Sequence, residues 1–223
     1  MIDIVILGGE GNGGVVASVI ESGDLRGDEK FRVVGFLNDF EMDEIAGYPV
    51  LGRLQDWHKL HQEVRFVWAI HPIGNNLEIE KAMRKVTIPQ SRFSSIIHSD
   101  VFIAPTAQLG TGVFVMKGGY LGPRSVIGDH SMFMANVNFG HDSRCGKCCH
   151  FSVGSIVSSY VVMGDFSDVT LGARVLEKVK IGNFAVVGSC ALATKDVGDG
   201  EVVIGVPARF KRHIKNWNNE AEP

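Results

Sequence analysis

The sequence predicts an α/β half-Rossmann domain followed by a left-handed parallel β-helix of hexapeptide repeats. Strands and helices alternate from residue 3 to about residue 90, and an unbroken six-residue period then runs from Ile103 to Val187. The 27 glycines in 223 residues, against 7 prolines, point the same way, to a chain full of tight turns. The expected boundaries are 1–92 for the half-Rossmann domain, 93–205 for the coil and 206–223 for a C-terminal capping tail.

In the first part, DIVILG (3–8) is a short apolar run ending in glycine, backed by Val15, Val16, Val19 and Ile20 at helical spacing. FRVVGFLND reads as a second strand, followed by the amphipathic stretch LQDWHKLHQE as a second helix. VRFVWAI (64–70) reads as a third strand and NNLEIEKAMRKV as a third helix. Strands alternating with helices at this spacing imply a small parallel sheet.

In the second part, stepping by six from Ile103 meets fifteen positions, all apolar or cysteine. The next residue is glycine at eight of them, and the residue four further on is always small. A period of six with one large and one small inward position makes a flat side, and three sides make a triangular coil. Residues 18 apart then stack at the strand spacing of about 4.8 Å. Neither the 3.6 period of a helix nor the 2 period of a sandwich strand fits.

The repeat fades after Ala191, where KDVGDGEVVIGVPA leaves the coil and RFKRHIKNW reads as a basic amphipathic helix. It is expected to cap the last coil, while Arg209, Lys211, Arg212 and Lys215 could also attract phosphate. A formal charge of −3 removes the broad basic field that nucleic acids require. The absence of a long apolar run or signal peptide predicts a soluble, cytoplasmic protein with no membrane partner. Cys145, Cys148, Cys149 and His150 in CGKCCH have ligand-like spacing, but a second ligand pair is missing and the repeat gives Cys145 and Cys149 a packing place, so no metal is expected.

GGEGNGG near the start, HDSRCGKCCH within the repeats and KDVGDGEVVIGVPAR at the end resemble bacterial sugar acyltransferases of the sialic-acid O-acetyltransferase type. That group includes N-acetyltransferases acting on nucleotide-linked amino sugars. The resemblance covers essentially the whole chain and implies a homotrimer that uses acetyl-CoA, with active sites between subunits.

His141 follows the inward Phe139 by two residues and stacks between Pro123 and Ser159, with Glu177 beyond. A wall imidazole can accept the proton that an amine sheds on attacking a thioester, and a lone repeat histidine can equally be a surface or interface residue. The resemblance favours His141 as the base, with Asp142 orienting it. It assigns His150 to the sugar side of the site, where interface packing is the alternative. For Ser159, one coil above His141, the resemblance implies a backbone N–H that serves as oxyanion donor, and an ordinary polar wall residue is the other reading. Gly154 and Gly172, in a column nearly free of side chains, and Ser189 are assigned to the acetyl-CoA wall, although corner geometry accounts for the glycines equally well.

Gly9, Gly11 and Gly14 satisfy G-x-G-x-x-G, with Asp39 after the second strand. Read alone, this suggests NAD, but the second mononucleotide half and any hydride chemistry are missing. Read with the resemblance, Gly9, Gly11, Asn12 and Gly13 take the diphosphate of a nucleotide sugar, and Asn38 and Asp39 its base or ribose. A third reading is that the glycines let the helix pack closely. The chain departs from the usual pattern at Asn12-Gly13, Met134, Ala135 and Gly140, which bears on the exact sugar. The expected function is therefore N-acetylation of a nucleotide-linked amino sugar for a surface glycan. The alternatives are sugar O-acetylation and a non-catalytic sugar-nucleotide scaffold.

Overall fold

The computed structural model describes residues 1–40 and 43–217. Its first part contains β1 (Ile2–Leu7), α1 (Glu10–Ser22), β2 (Phe31–Leu37), β3 (Glu44–Ile45), β4 (Tyr48–Gly52), β5 (Arg65–Trp68) and α2 (Asn76–Lys85). The sheet order is β3-β4-β2-β1-β5, parallel apart from the β3–β4 hairpin. β1 lies centrally, and Ile4–Leu7 are wholly buried, as a strand covered on both faces requires. Two expectations are corrected here. LQDWHKLHQE forms only a short 3-10 helix, Leu54–Lys59, and the unforeseen hairpin turns at Ala46 and Gly47. Both turn residues have positive φ, which matches the twist of a two-residue hairpin.

From Ile96 the chain forms two-residue strands that pair in parallel with those 18 positions away, as in Tyr120↔Asn138, Val126↔Arg144 and Met132↔His150. They make three sheets, the sides of a left-handed β-helix. The first side presents Phe114, Met132, His150 and Asp168 outward, the second Tyr120, Asn138 and Ile156, and the third Val126, Arg144 and Val162. The inward column from Val115 to Val187 fills the coil; Ile103 and Leu109, at its open start, are only partly buried. Phe133 and Phe151 stack at 4.2 Å between centroids, with Phe139 edge-on to both. Small inward residues leave room for the opposite wall, and their hydroxyls satisfy corner backbone: Ser143 Oγ donates to the Ser158 carbonyl and accepts from Val161 N–H.

The first side is covered by the N-terminal half. Ile96, Phe114 and Met132 share a core with Ile4, Ile6, Val16 and Ile20, while Cys148 and Phe166 pack with Leu7, Phe66 and Ile79. Cys145 and Cys149 point into the coil and are buried, and Cys148 lies against the Met83 sulfur. At the C-terminus the expected helix over RFKRHIKNW is corrected to a strand. Arg209–His213 pairs antiparallel with Glu201–Ile204, which extends the first sheet. Ile214 and Trp217 pack with Phe184, Val186 and Leu77, on the flank of the first side.

Candidate active site

His141 sits at the corner between the second and third sides, between the strands Asn138–Phe139 and Arg144–Cys145. Its Nδ1 lies 2.6 Å from Asp142 Oδ2. Nδ1–H donation to the carboxylate leaves Nε2 as the nitrogen with a free lone pair. The ring is half-exposed and meets Tyr160 edge-on, one coil above.

Asp142 is itself held by Arg124, one coil below. Arg124 Nε and Nη2 donate to Asp142 Oδ1 and Oδ2 at 2.6 and 2.7 Å, a two-pronged match of fork to carboxylate. Arg124 and His141 together bring the Asp142 carboxyl down to about 2, so it is charged at neutral pH. Sequence reasoning missed Arg124, although the signal existed: it precedes Asp142 by one 18-residue coil.

Ser159 lies above His141 as the stacking predicts, its neighbour Tyr160 donating its N–H to the His141 carbonyl at 3.1 Å. Among the described residues no acceptor takes the Ser159 N–H. Gly140 is what allows that approach: a Cβ there would lie 2.8 Å from Ser159 N and 2.5 Å from Ser158 C. The departure at Gly140 thus has a steric cause in this chain.

Gly154 and Gly172 stand at another edge, between the first and second sides, with left-handed φ of 67° and 61°. Ser189 is exposed at the same edge, its Oγ 3.3 Å from Thr170 Oγ1. A whole side of the triangle separates these three from His141 and Ser159 within one chain.

In the N-terminal half, a cavity of about 530 Å³ opens at the C-terminal ends of β1, β2 and β5, where ligands bind in open α/β sheets. Gly8–Asn12 line one wall, Asn38–Phe40 a second, and Ala69–Pro72 with α2 the rest. Gly9 is the N-cap of α1 and carries no side-chain cap, so the first N–H groups of the helix face the cavity without an internal partner. Gly13 is the exception among the assigned glycines. It is buried, and a Cβ there would meet Phe36 Cε1 at 2.9 Å, which fits the reading that glycine lets the helix pack closely on the sheet. Asn38 is also buried; its Oδ1 accepts from Phe40 N–H at 2.8 Å, and Asp39 Oδ1 accepts from Leu54 N–H at 3.0 Å.

His150 does not reach this cavity. It is buried beneath the segment after β5, its ring 5.5 Å from that of His71, and burial brings it down to about 4. Beside it, Asp168 is buried and accepts from Gly74 N–H at 3.2 Å and Asn76 Nδ2 at 3.0 Å; burial pushes its carboxyl up to about 7. Among the described residues no group of His, Cys, Asp and Glu is arranged to hold a metal, and no helix is long and apolar enough to cross a membrane.

Comparison with known proteins places this architecture. Residues 3–86 match the PglD N-terminal domain family. The structure of PerB from Caulobacter crescentus in complex with CoA and GDP-perosamine is similar over 94% of this chain and 97% of that one, with a TM-score of 0.77 and 30% identity. The acetyltransferase domain of PglB from Neisseria gonorrhoeae, in complex with acetyl coenzyme A, shares the fold at a TM-score of 0.80, with 24% identity over 94% and 98% of the two chains. A serine acetyltransferase of Buchnera aphidicola subsp. Schizaphis graminum is 30% identical over 132 residues, 58% of this chain. The match covers 46% of that protein, so this chain corresponds to about half the length of the curated relatives it resembles. With a PglD-type domain joined to a hexapeptide coil along a full-length match, the chain belongs to the hexapeptide-repeat group of bacterial sugar acyltransferases.

Proposed function

We propose that this protein transfers the acetyl group of acetyl-CoA to the amine of a nucleotide-linked amino sugar, in the making of a surface glycan. The observation that carries this reading is the ordered chain Arg124–Asp142–His141, which leaves Nε2 free at an exposed corner. The amine nitrogen attacks the thioester carbonyl carbon, forming the C–N bond; His141 Nε2 takes the proton from nitrogen. As the C–S bond breaks, the same proton passes to the CoA sulfur. Asp142 stabilises the imidazolium in between, and the unpaired Ser159 N–H faces the oxyanion. Gly9, Gly11 and Asn12 at the α1 N-terminus take the diphosphate, with Asn38 and Asp39 near the nucleoside.

The N-terminal half covers the first side of the coil, and His141 stands on the opposite edge. A sugar nucleotide held by one chain therefore meets His141 of another, which fits a homotrimer with shared sites. The same arrangement lets the Gly154, Gly172 and Ser189 edge of one chain and the Ser159 edge of its neighbour flank a single acetyl-CoA. PerB, which was solved with CoA and GDP-perosamine, supports an amino-sugar acceptor. Reading the chain as a serine acetyltransferase would leave the N-terminal cavity without a use.

The test is thiol release from acetyl-CoA with GDP-, UDP- and dTDP-linked amino sugars, comparing wild type with His141→Ala. Turnover of one amino sugar that is lost in the variant supports the proposal. Turnover of hydroxyl acceptors alone would shift the reaction to O-acetylation, and unaltered turnover by His141→Ala would remove the base.

A further inference from the structure

We infer that Phe40 is the platform on which the base of the bound nucleotide stacks. This rests on the nucleotide-sugar reading of the N-terminal cavity and adds to it the residue that carries base affinity. Phe40 follows β2, where the chain turns past the mouth of the cavity, and it lines both that cavity and a neighbouring polar hollow of about 510 Å³. Its side chain is 78% exposed, against complete burial for Phe36 four residues earlier. A phenyl ring exposed at the mouth of a cavity presents a flat apolar face to whatever enters it.

The backbone beneath the ring is fixed. Phe40 N–H donates to Asn38 Oδ1 at 2.8 Å, and Asn38 is buried against Gly9, whose added Cβ would lie 3.4 Å from Asn38 Nδ2. The turn that carries the ring is therefore tied to the residue that caps α1. A diphosphate on the α1 N-terminus and a base on Phe40 are two ends of one rigid ligand site. Stacking on an aromatic face serves every base, because each has a π-face, so Phe40 sets affinity for the nucleoside and leaves base identity to polar neighbours such as Asp39.

The full chain, with Phe40→Ala and Phe40→Trp variants, is titrated with GDP, UDP, dTDP and inorganic pyrophosphate. The expected result is an affinity for the best nucleoside diphosphate about 5- to 100-fold lower in Phe40→Ala and near wild type in Phe40→Trp. Pyrophosphate binding is expected to be unchanged, and in turnover KM for the sugar nucleotide rises while kcat holds. Equal nucleotide affinity in wild type and Phe40→Ala would overturn the inference, and a changed oligomeric state with unchanged nucleotide affinity would assign the ring to a subunit contact. Equal loss of pyrophosphate would also overturn it, because the glycine loop would then be disturbed. If wild type binds none of the three nucleotides, the reading of the cavity falls, and the inference with it.

Discussion

In the proposed reaction Arg124 acts only through Asp142, and this makes its contribution separable from fold stability. Its guanidinium is 62% exposed, and an ion pair so open to water and salt adds little to folding. The same fork, however, fixes the plane of the Asp142 carboxylate and so the direction of His141 Nε2. Arg124→Ala is expected to lower kcat about 10- to 100-fold through misorientation, with a nearly unchanged melting temperature and partial recovery in Arg124→Lys. His141→Ala removes the proposed base itself, and a loss of about 10²- to 10⁴-fold in kcat is expected, with CoA affinity retained. Asp142 ionises near pH 2, so its protonation does not produce any loss of activity between pH 8 and pH 5. His141 and Asp142 were visible in the sequence as a histidine and carboxylate within a repeat. Arg124 was not, because its partner is adjacent in the stack and remote along the chain.

At the scale of elements, the six-residue period specified nearly everything in the coil, since each repeat has one inward residue and one fixed corner. The N-terminal half was legible where strands are apolar runs, and illegible at the Ala46–Gly47 hairpin and the short 3-10 helix, whose signals are only two or three residues long. RFKRHIKNW has apolar residues Phe210, Ile214 and Trp217 at helical spacing, yet it pairs as a strand beside Glu201–Ile204. An exposed sheet edge supplies backbone hydrogen bonds that a local helical pattern does not outweigh. The interface between the two halves was equally hidden, because the groups buried there come from distant parts of the chain, and its charge state gives a pH prediction. Asp168 keeps its proton up to about pH 7 when folded and loses it near 4 when unfolded. The folded state therefore holds more protons across that window, and this contribution to stability is lost as pH rises through it. His130 and His150, both brought down to about 4 by burial, act oppositely, their contribution falling away as pH drops below about 6.5. Asp168→Asn removes the first effect: its melting temperature should exceed wild type by about 3 °C or more at pH 8, with the difference shrinking toward pH 4. A constant difference across that range would show that ionisation of Asp168 is not its cause.

The whole molecule raises a question of geometry that no single residue answers. In a triangular coil, the edge bearing His141 is opposite the side covered by the N-terminal half. A substrate anchored at the α1 N-terminus is then separated from its own chain's His141 by the thickness of the coil, and in the proposed reaction a neighbouring chain supplies the base. Two variants test this without depending on any one assembly contact. His141→Ala destroys the base and leaves the cavity intact. Gly11→Glu places a carboxylate at the mouth of the cavity, where an added Cβ meets nothing within 4 Å and the fold is preserved, so the diphosphate is repelled and the base is left intact. Each variant alone should be inactive. When the two are co-expressed in equal amounts and assemble at random into trimers, each shared site has an intact cavity and an intact base with a chance of about one in four, so roughly a quarter of wild-type activity should return. A site contained within one chain would recover nothing on mixing, because every chain carries one lesion. Sedimentation of the mixed sample, showing a trimer mass, ties the recovery to assembly; recovery from chains that sediment as monomers would break the link between the shared site and the trimer.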